Sequence, residues 1–320
     1  MHDGNARSPL APVFLAGPTA VGKSAIALAL AERLGGEIIS VDSMQVYRGL
    51  DLGTAKPSAE ERARVPHHLI DVVELSESFD AAKFLRLAEA AVKDIQSRGR
   101  VPIFCGGTGL YFKAWFDGLG AAPPADPRVR AELEATPLAD LLAELERRDP
   151  ATFARIDRQN PRRVIRALEV IRLTGQPFST QRAAWPSTLD PRPSALLIAF
   201  TREPADLRFR IEARVDAMFA AGLVEETRAL LLRGLADNPA ALQALGYRQV
   251  VEHLRGARGL GDTIALVKTK TWQFARRQRT WFRRQLAVEW VPLIPQSEPA
   301  AVARELADRI TARSPVAPLD

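Results

Sequence analysis

Cysteine is nearly absent from this 320-residue sequence, in which Cys105 is the only one. A lone thiol cannot close an internal disulfide or supply a multi-thiolate zinc site, so the sequence excludes both. Long apolar runs are missing too. No run of about 18 apolar residues could span a bilayer, and the N-terminus lacks the apolar stretch of a signal peptide. These absences predict a cytoplasmic protein without membrane contact.

Acidic residues are missing from one segment, residues 268–284, which holds seven basic residues. The formal net charge of the chain is +6, so the rest of the protein carries only −1. A localised basic patch suggests a polyanionic partner, and the alternative is a solvated helix face. With 47% hydrophobic and 26% charged residues, the composition is that of an ordinary globular protein.

Short apolar runs alternate with helical patterns along much of the chain, which predicts an α/β fold with a parallel sheet flanked by helices. Strands are predicted at 13–16, 37–41, 101–105, 196–200 and 288–293. Helices are predicted at 24–34, 80–99, 207–232 and 262–286, with a peripheral helix in 295–320. Residues 121–190 show helical periodicity but no β-rich run. We interpret them as an all-helical insertion, and residues 1–120 and 191–320 as the catalytic core.

The segment GPTAVGKS fits the P-loop pattern G-x-x-x-x-G-K-[ST] and lies between a predicted strand and a predicted helix. Its members are Gly17, Pro18, Thr19, Ala20, Val21, Gly22, Lys23 and Ser24. Backbone amides, the helix N-terminus and the Lys23 cation together bind polyphosphates, and the Ser24 hydroxyl can ligate Mg²⁺. The alternative is a glycine-rich turn that merely precedes a helix.

A P-loop alone does not separate kinases and ATPases from enzymes that use diphosphate as a leaving group. The best candidate for a Mg²⁺-binding strand end, residues 68–71, is weak. Asp42 follows the second predicted strand, where its carboxylate could accept a proton, cap a helix or support Mg²⁺. His67 and His68 lack the spacing of metal ligands and are interpreted as structural, and Cys105 as a buried strand residue.

Seven motifs, in order from residue 13 to about 290, resemble the tRNA dimethylallyltransferase family, also called tRNA isopentenyltransferase. They are GPTAVGKS, DSMQVYRGLDLGTAKP, PHHLID, GGTGLY, NPRRVIRALEV, ALGYRQ and ARRQRTWFR. The resemblance implies a P-loop NTPase-like core with an inserted tRNA-binding domain. It also implies transfer of a dimethylallyl group from dimethylallyl diphosphate to N6 of adenosine 37, beside the anticodon, in tRNAs that read codons beginning with U.

By this resemblance, Asp42 is the general base and Arg214 stabilises the diphosphate, with Lys23 and Thr108 completing the catalytic set. The P-loop would hold the donor diphosphate with Mg²⁺ as cofactor and Ser24 as its ligand, and no nucleotide would be hydrolysed. A base turned out of the anticodon stem-loop would be the acceptor. We expect a monomer.

The resemblance also implies a set of tRNA-binding residues. They are Asp42, Ser43, Met44, Gln45, Thr108, Arg130, Arg162, Arg163, Arg166, Gly246, Tyr247, Arg248, Gln249, Gln273, Arg276, Arg277, Gln278, Arg279 and Thr280. Trp272 departs from the family pattern, in which a basic residue is frequent. Three alternatives stay open: an enzyme that prenylates AMP, a small-molecule kinase and an RNA-binding ATPase.

Overall fold

A computed structural model describes residues 11–120, 122–181 and 196–313, in which six strands form one parallel sheet of order β3-β2-β4-β1-β5-β6. The strands are β1 (Val13–Ala16), β2 (Gly36–Val41), β3 (His67–His68), β4 (Val101–Gly106), β5 (Leu197–Arg202) and β6 (Glu289–Leu293). Every pairing is parallel. The predicted α/β class is therefore confirmed. Only β3 was not predicted, because two half-buried histidines give no apolar run.

Helices flank the sheet, and six of the described helices, α4 to α9, lie between β4 and β5 in the sequence. They are α1 (Lys23–Leu34), α2 (Ala59–Arg64), α3 (Ala81–Ser97), α4 (Gly109–Asp117), α5 (Pro127–Ala135), α6 (Leu138–Arg148), α7 (Pro150–Arg155), α8 (Pro161–Thr174), α9 (Phe178–Gln181), α10 (Pro204–Ala220), α11 (Leu223–Leu232), α12 (Tyr247–Leu254), α13 (Leu260–Gln285) and α14 (Pro299–Arg313). No helix in the described ranges is long and apolar enough to cross a membrane.

The main core lies between the sheet and the helices that flank it. β1, β2 and β4 are buried along their whole length, as expected for parallel strands covered on both faces. Leu306 and Ile310 of α14 belong to the same buried cluster as Leu15 of β1 and Leu30 of α1. The interpretation of 295–320 as peripheral is therefore wrong for α14, whose apolar side completes the core.

The helix predicted across 207–232 is two helices. α10 ends at Ala220 and α11 begins at Leu223, and between them Gly222 has a left-handed φ of 101°. This conformation suits glycine because it has no Cβ to clash with the backbone. Beyond this break, Leu223 and Leu230 of α11 are buried in a cluster with Tyr47, Leu50 and Tyr247.

A second compact unit is formed by residues 114–187, and the remaining chain forms the first unit. Its core contains buried Leu133, Leu141, Leu145 and Leu168, contributed by α5, α6 and α8. All of its described regular structure is helical. Of the boundaries predicted from the sequence, residues 121 and 190 both lie outside the described residues.

Candidate active site

The P-loop connects the carboxyl end of β1 to the N-terminus of α1. Gly17 has a φ of 146°, and a Cβ there would lie 3.0 Å from the backbone oxygen of Phe200, so both conformation and space favour glycine. Gly22 is the N-cap of α1 with a left-handed φ of 107°, and no side chain of the residues that the structure describes caps this helix. The first amides of α1 are thus left for an anion, whose charge the helix dipole favours.

Cationic side chains line a cavity of about 370 Å³ beside this loop. Its lining residues are Ala20, Gly22, Lys23, Ser24, Ala25, Phe209, Arg210, Ala213 and Arg214. Burial lowers the pKa of the Lys23 ammonium, and the positive charge of Arg214 lowers that pKa further. Burial also lowers the pKa of Arg214. Cations held in such surroundings favour an anionic ligand, and the cavity is suited to a polyphosphate.

Asp42 follows β2 at the edge of the sheet where the P-loop begins. One carboxylate oxygen, Oδ1, accepts hydrogen bonds from the backbone amides of Met44 at 2.8 Å and Gln45 at 3.3 Å. The negative charge of Asp42 raises the pKa of both Lys23 and Arg214, partly offsetting the effect of burial. The carboxylate is therefore near both cations, and its Oδ2 atom makes no hydrogen bond within the described residues.

Thr108 joins the ends of β2 and β4. Its Oγ1 accepts a hydrogen bond from the Ser43 amide at 3.1 Å, and its own amide donates to Val41 O at 3.1 Å. β4 approaches β2 closely at this point, because a Cβ at Gly106 would lie 2.0 Å from Val41 O. The four predicted catalytic residues thus lie at one edge of the sheet. Asp42 is close enough to Lys23 and Arg214 to raise the pKa of both, and Thr108 bonds to the residue after Asp42.

Gln278 of α13 joins the P-loop to the turn after β4. Its Oε1 accepts a hydrogen bond from the Thr19 amide at 2.9 Å, and its Nε2 donates to Gly107 O at 2.9 Å. The side chain is only 8% exposed. The structure does not support the predicted direct contact between Gln278 and tRNA, because both polar atoms are used inside the protein.

Replacing Gln278 by Met keeps the side-chain volume but leaves the Thr19 amide and the Gly107 carbonyl without their partner. We expect the free energy of unfolding to fall by about 1–3 kcal/mol, the cost of leaving buried polar groups unsatisfied. Urea unfolding measures this, with exposed Gln273→Met on the same helix as the control. If Gln278→Met is as stable as wild type but binds tRNA more weakly, Gln278 contacts tRNA as predicted from the sequence.

Four further predicted tRNA contacts are turned inward. The Tyr247 hydroxyl donates to Glu226 at 2.5 Å and accepts from the Gly53 amide at 3.0 Å, and Gln249 Oε1 accepts from the Gly246 amide at 3.0 Å. Gln45 is also used internally: it accepts from the Ser40 hydroxyl and donates to the backbone oxygens of Thr54 and Ala55. Gly246, Tyr247 and Gln249 are buried. Direct RNA contact by these residues is therefore not supported: Gln45 and Tyr247 hold the loop after Asp42, and Gln249 caps the start of α12 at Gly246.

Other predicted tRNA-binding residues do face solvent. Exposed positions are Arg162, Arg163, Arg248, Gln273, Arg276, Arg277 and Thr280, and half-buried ones are Ser43, Met44, Thr108, Arg130, Arg166 and Arg279. Within the second unit, Arg130 and Arg166 both pair with buried Glu169, at 2.7 and 2.6 Å, so part of their charge is already balanced. Arg248 pairs with Glu252 at 3.2 Å.

The aromatic residues of α13 divide between core and surface. Trp281 packs so closely on Gly109 that a Cβ there would lie 2.1 Å from the indole, and Trp272 lies against the main core. Phe274 is 36% exposed, and the guanidinium of Arg277 lies 5.9 Å from its ring centre. Phe282 is fully buried, so Phe274 is the aromatic residue of α13 that is placed to stack on a nucleic-acid base.

No metal cluster is found in the part of the chain that the structure describes, since no three His, Cys, Asp or Glu side chains group together there. His67 Nδ1 is hydrogen-bonded to Val65 O and His68 Nε2 to the Glu37 carboxylate, so both histidines have structural partners. Asp71, the weak candidate for a Mg²⁺-binding strand end, pairs with Lys56 and Arg62 instead. Cys105 is buried in β4, as predicted.

Sequence reasoning missed two arginines that support the P-loop. Arg202 Nε donates to Val21 O at 2.8 Å, and Arg210 Nε donates to Ala20 O at 3.0 Å. Glu226 was missed as well, although it accepts from the Asp51 and Leu52 amides. The only available signal was the position of Arg210 one helical turn before Arg214.

Comparisons with known proteins identify relatives of this chain. A profile of the IPP transferase family matches residues 45–285. The tRNA dimethylallyltransferase of Anaeromyxobacter dehalogenans (strain 2CP-C) is 48% identical, with 93% of this chain and 99% of the relative aligned. That of Halorhodospira halophila (strain DSM 244 / SL1) is 51% identical over 86% of this chain and 91% of the relative.

Solved structures show the same similarity. The full-length tRNA isopentenylpyrophosphate transferase of Bacillus halodurans aligns with a TM-score of 0.68 and 39% identity, covering 95% of this chain and 98% of that protein. A eukaryotic dimethylallyltransferase acting on tRNA aligns with a TM-score of 0.76 and 26% identity, covering 96% and 80% of the two chains. Matches of this extent, over a P-loop core that carries the matching motifs, show that the chain belongs to the tRNA dimethylallyltransferase family.

Proposed function

We propose that this enzyme transfers a dimethylallyl group from dimethylallyl diphosphate to N6 of adenosine 37 in tRNAs that read codons beginning with U. One observation carries the proposal: Asp42 lies near the two cations, Lys23 and Arg214, that line the P-loop cavity. A base and a diphosphate cradle thus share one site. In the reaction the bond from N6 to the first donor carbon forms, the bond from that carbon to the diphosphate oxygen breaks, and N6 loses a proton.

The P-loop side of the site would stabilise the leaving group. Negative charge grows on the diphosphate as the carbon–oxygen bond breaks, and Lys23 at the start of α1 and Arg214 both line the cavity in which we place that group. Their positions are fixed before the reaction, so little reorganisation is needed. Diphosphate acts here as a leaving group, and none of these residues has to activate water.

Mg²⁺ fits this site as a cofactor that binds with the donor. Ser24 is exposed at the cavity and offers one oxygen ligand, and the described residues offer no carboxylate cluster. This set suits Mg²⁺, which keeps several waters and binds substrate phosphates readily. When bound, it would offset negative charge on the departing diphosphate.

The Asp42 side of the site would prepare the nucleophile. An exocyclic adenine amine is a poor nucleophile, so a positioned carboxylate that takes its proton should contribute strongly. The Met44 and Gln45 amides hold Oδ1, which leaves Oδ2 for the N6 proton. Reaching N6 requires the base to leave its stack in the anticodon loop.

The exposed arginines of α13 are proposed to bind the tRNA backbone. Replacing Arg276 and Arg277 by Gln should weaken tRNA binding and flatten its salt dependence, because about two fewer counterions are released. Filter binding from low to high salt measures the slope. The matched control replaces two exposed arginines on other helices, Arg86 of α3 and Arg304 of α14. If tRNA affinity depends equally on salt in both double variants, the arginines of α13 form an ordinary solvated helix face and do not bind tRNA.

Labelled donor tests the function directly. The purified protein is incubated with Mg²⁺, labelled dimethylallyl diphosphate and either tRNA or AMP. We expect label in tRNA, and none when adenosine 37 is replaced by guanosine. Label in AMP alone would favour the mononucleotide prenyltransferase, and transfer of a γ-phosphate from ATP would favour a kinase. We further propose a cytoplasmic monomer, and light scattering on the same sample tests its mass.

A further inference from the structure

Two arginines from one side of the P-loop hold consecutive carbonyl groups of that loop. Arg202, at the end of β5, donates from Nε to Val21 O, and Arg210 of α10 donates from Nε to Ala20 O. In a trans peptide the N–H points away from the C=O. Fixing these carbonyls therefore fixes the two peptide planes that they share with Val21 and Gly22, and the Val21 amide donates to Pro18 O at 3.4 Å within the loop.

The rest of each guanidinium is used differently. Arg202 is 6% exposed, and its Nη1 bonds to Asp206 at 2.7 Å and to Ile294 O at 2.8 Å, so both its Nε and its Nη1 bond to other groups of the protein. Arg210 is half-buried and lines the P-loop cavity together with Lys23 and Arg214. Its Nη atoms make no hydrogen bond within the described residues.

The surroundings of Arg210 favour an anion next to its Nη atoms. Burial lowers the pKa of Arg210, and the positive charge of Arg202 lowers it further. Its Nη2 lies 3.7 Å from where a Cβ on Gly22, the N-cap of α1, would stand. A planar guanidinium with two free donors at that place matches a phosphate group.

We propose that Arg210 is a second diphosphate-binding arginine: its Nη atoms contact the phosphoryl groups of the donor while its Nε holds Ala20 O. The assignment rests on the proposed function to the extent that the anion is the diphosphate of an allylic donor. Arg214, one turn further along α10, faces the same cavity. Both arginines then contact the leaving group from α10.

Inorganic pyrophosphate with Mg²⁺ is the probe, because it contains the bound group and no reacting carbon. Titration calorimetry on Arg210→Gln should show a dissociation constant about 10- to 100-fold above wild type, the effect expected for loss of a charge-assisted hydrogen bond. Arg210→Lys keeps a charge but cannot hold Ala20 O and reach a phosphate together, so it should give an intermediate loss. Arg208→Gln is the matched control, since Arg208 is exposed and its one ion pair among the described residues is with Glu212.

Thermal melting shows whether each variant is folded, and Arg210→Lys gives the decision if Arg210→Gln is not. Wild-type affinity for pyrophosphate in the folded Arg210 variants would overturn the proposal. An equal loss of affinity in Arg208→Gln would also overturn it, because the effect would then come from the total positive charge of α10 and not from a contact of Arg210. In turnover, the KM for the donor should rise more than kcat falls. If wild type binds pyrophosphate through Arg210 but prenylates no tRNA, the proposed function fails and this assignment stands.

Discussion

Asp42→Asn is expected to slow dimethylallyl transfer by about 10²- to 10⁴-fold, the usual contribution of a positioned general base. Asn keeps an oxygen at the Oδ1 position, so the hydrogen bonds from the Met44 and Gln45 amides can persist and hold the turn after β2. What the variant loses is the ability to accept the N6 proton. The loss should therefore fall on the chemical step, and binding of tRNA and pyrophosphate should change little.

A single-turnover assay with saturating donor and tRNA isolates that step. Filter binding of tRNA and calorimetry with pyrophosphate are measured on the same preparations. Asp94→Asn serves as the control, because Asp94 is an exposed carboxylate of α3 whose ion pair in the described part of the chain is with Arg98. If Asp42→Asn weakens tRNA binding as much as it slows transfer, Asp42 is a tRNA-binding residue and another group takes the proton.

The predictable part of this site consists of residues whose chemistry is local in sequence. The P-loop could be identified because eight contiguous residues, GPTAVGKS, contain the glycines, the lysine and the helix start that bind phosphate. Asp42 could be placed because carboxyl ends of parallel strands meet at one edge of the sheet. The strand ends were predicted from apolar runs, and the position of Asp42 follows from them.

The unpredictable part consists of side chains that reach across the fold to backbone groups. Gln278 bonds to Thr19 across 259 residues, and Arg210 bonds to Ala20 across 190. Such bonds leave no spacing pattern, because a backbone oxygen or amide is available at almost any residue. For the same reason Tyr247 and Gln249 were assigned to tRNA from the motif alone, whereas the structure buries both.

The break between α10 and α11 was a different kind of error. Gly222 is a common signal for a helix end, but the apolar pattern continues on both sides of it and suggested one helix. α14 was interpreted as peripheral although its apolar positions fit a buried face. Both cases show that periodicity identifies a helix, whereas its packing partners depend on where the sheet lies.

Lys23→Met is the second change with a large expected effect. Removing the cation should lower kcat/KM for the donor by about 10²- to 10³-fold, as loss of one preorganised group at a developing negative charge does. Binding of tRNA should stay unchanged. Steady-state kinetics at varied donor concentration and filter binding of tRNA measure the two. Lys93→Met is the control, because Lys93 is an exposed lysine of α3, outside both the P-loop and the basic segment of α13.

The same variant should be more stable than wild type when no ligand is bound. The Lys23 ammonium donates to Pro18 O at 3.3 Å and pairs with no carboxylate in an ion pair of the described residues, so its burial is only partly offset. Thermal melting should show a higher Tm for Lys23→Met alone and a smaller rise on adding pyrophosphate. A lower Tm without ligand would mean that the lysine stabilises the empty loop.

The sign of the pH effect follows from the lowered pKa of Lys23. Only the protonated ammonium attracts diphosphate, and because its pKa is below the usual value, the charge of the free enzyme is lost at a lower pH than for an ordinary lysine. Pyrophosphate affinity of wild type should therefore weaken as pH rises toward that pKa, with proton uptake on binding. Lys23→Met should lack this dependence, since it has no proton to lose. Calorimetry in two buffers of different ionisation enthalpy measures the uptake, and equal proton uptake by the two proteins would assign it to another group.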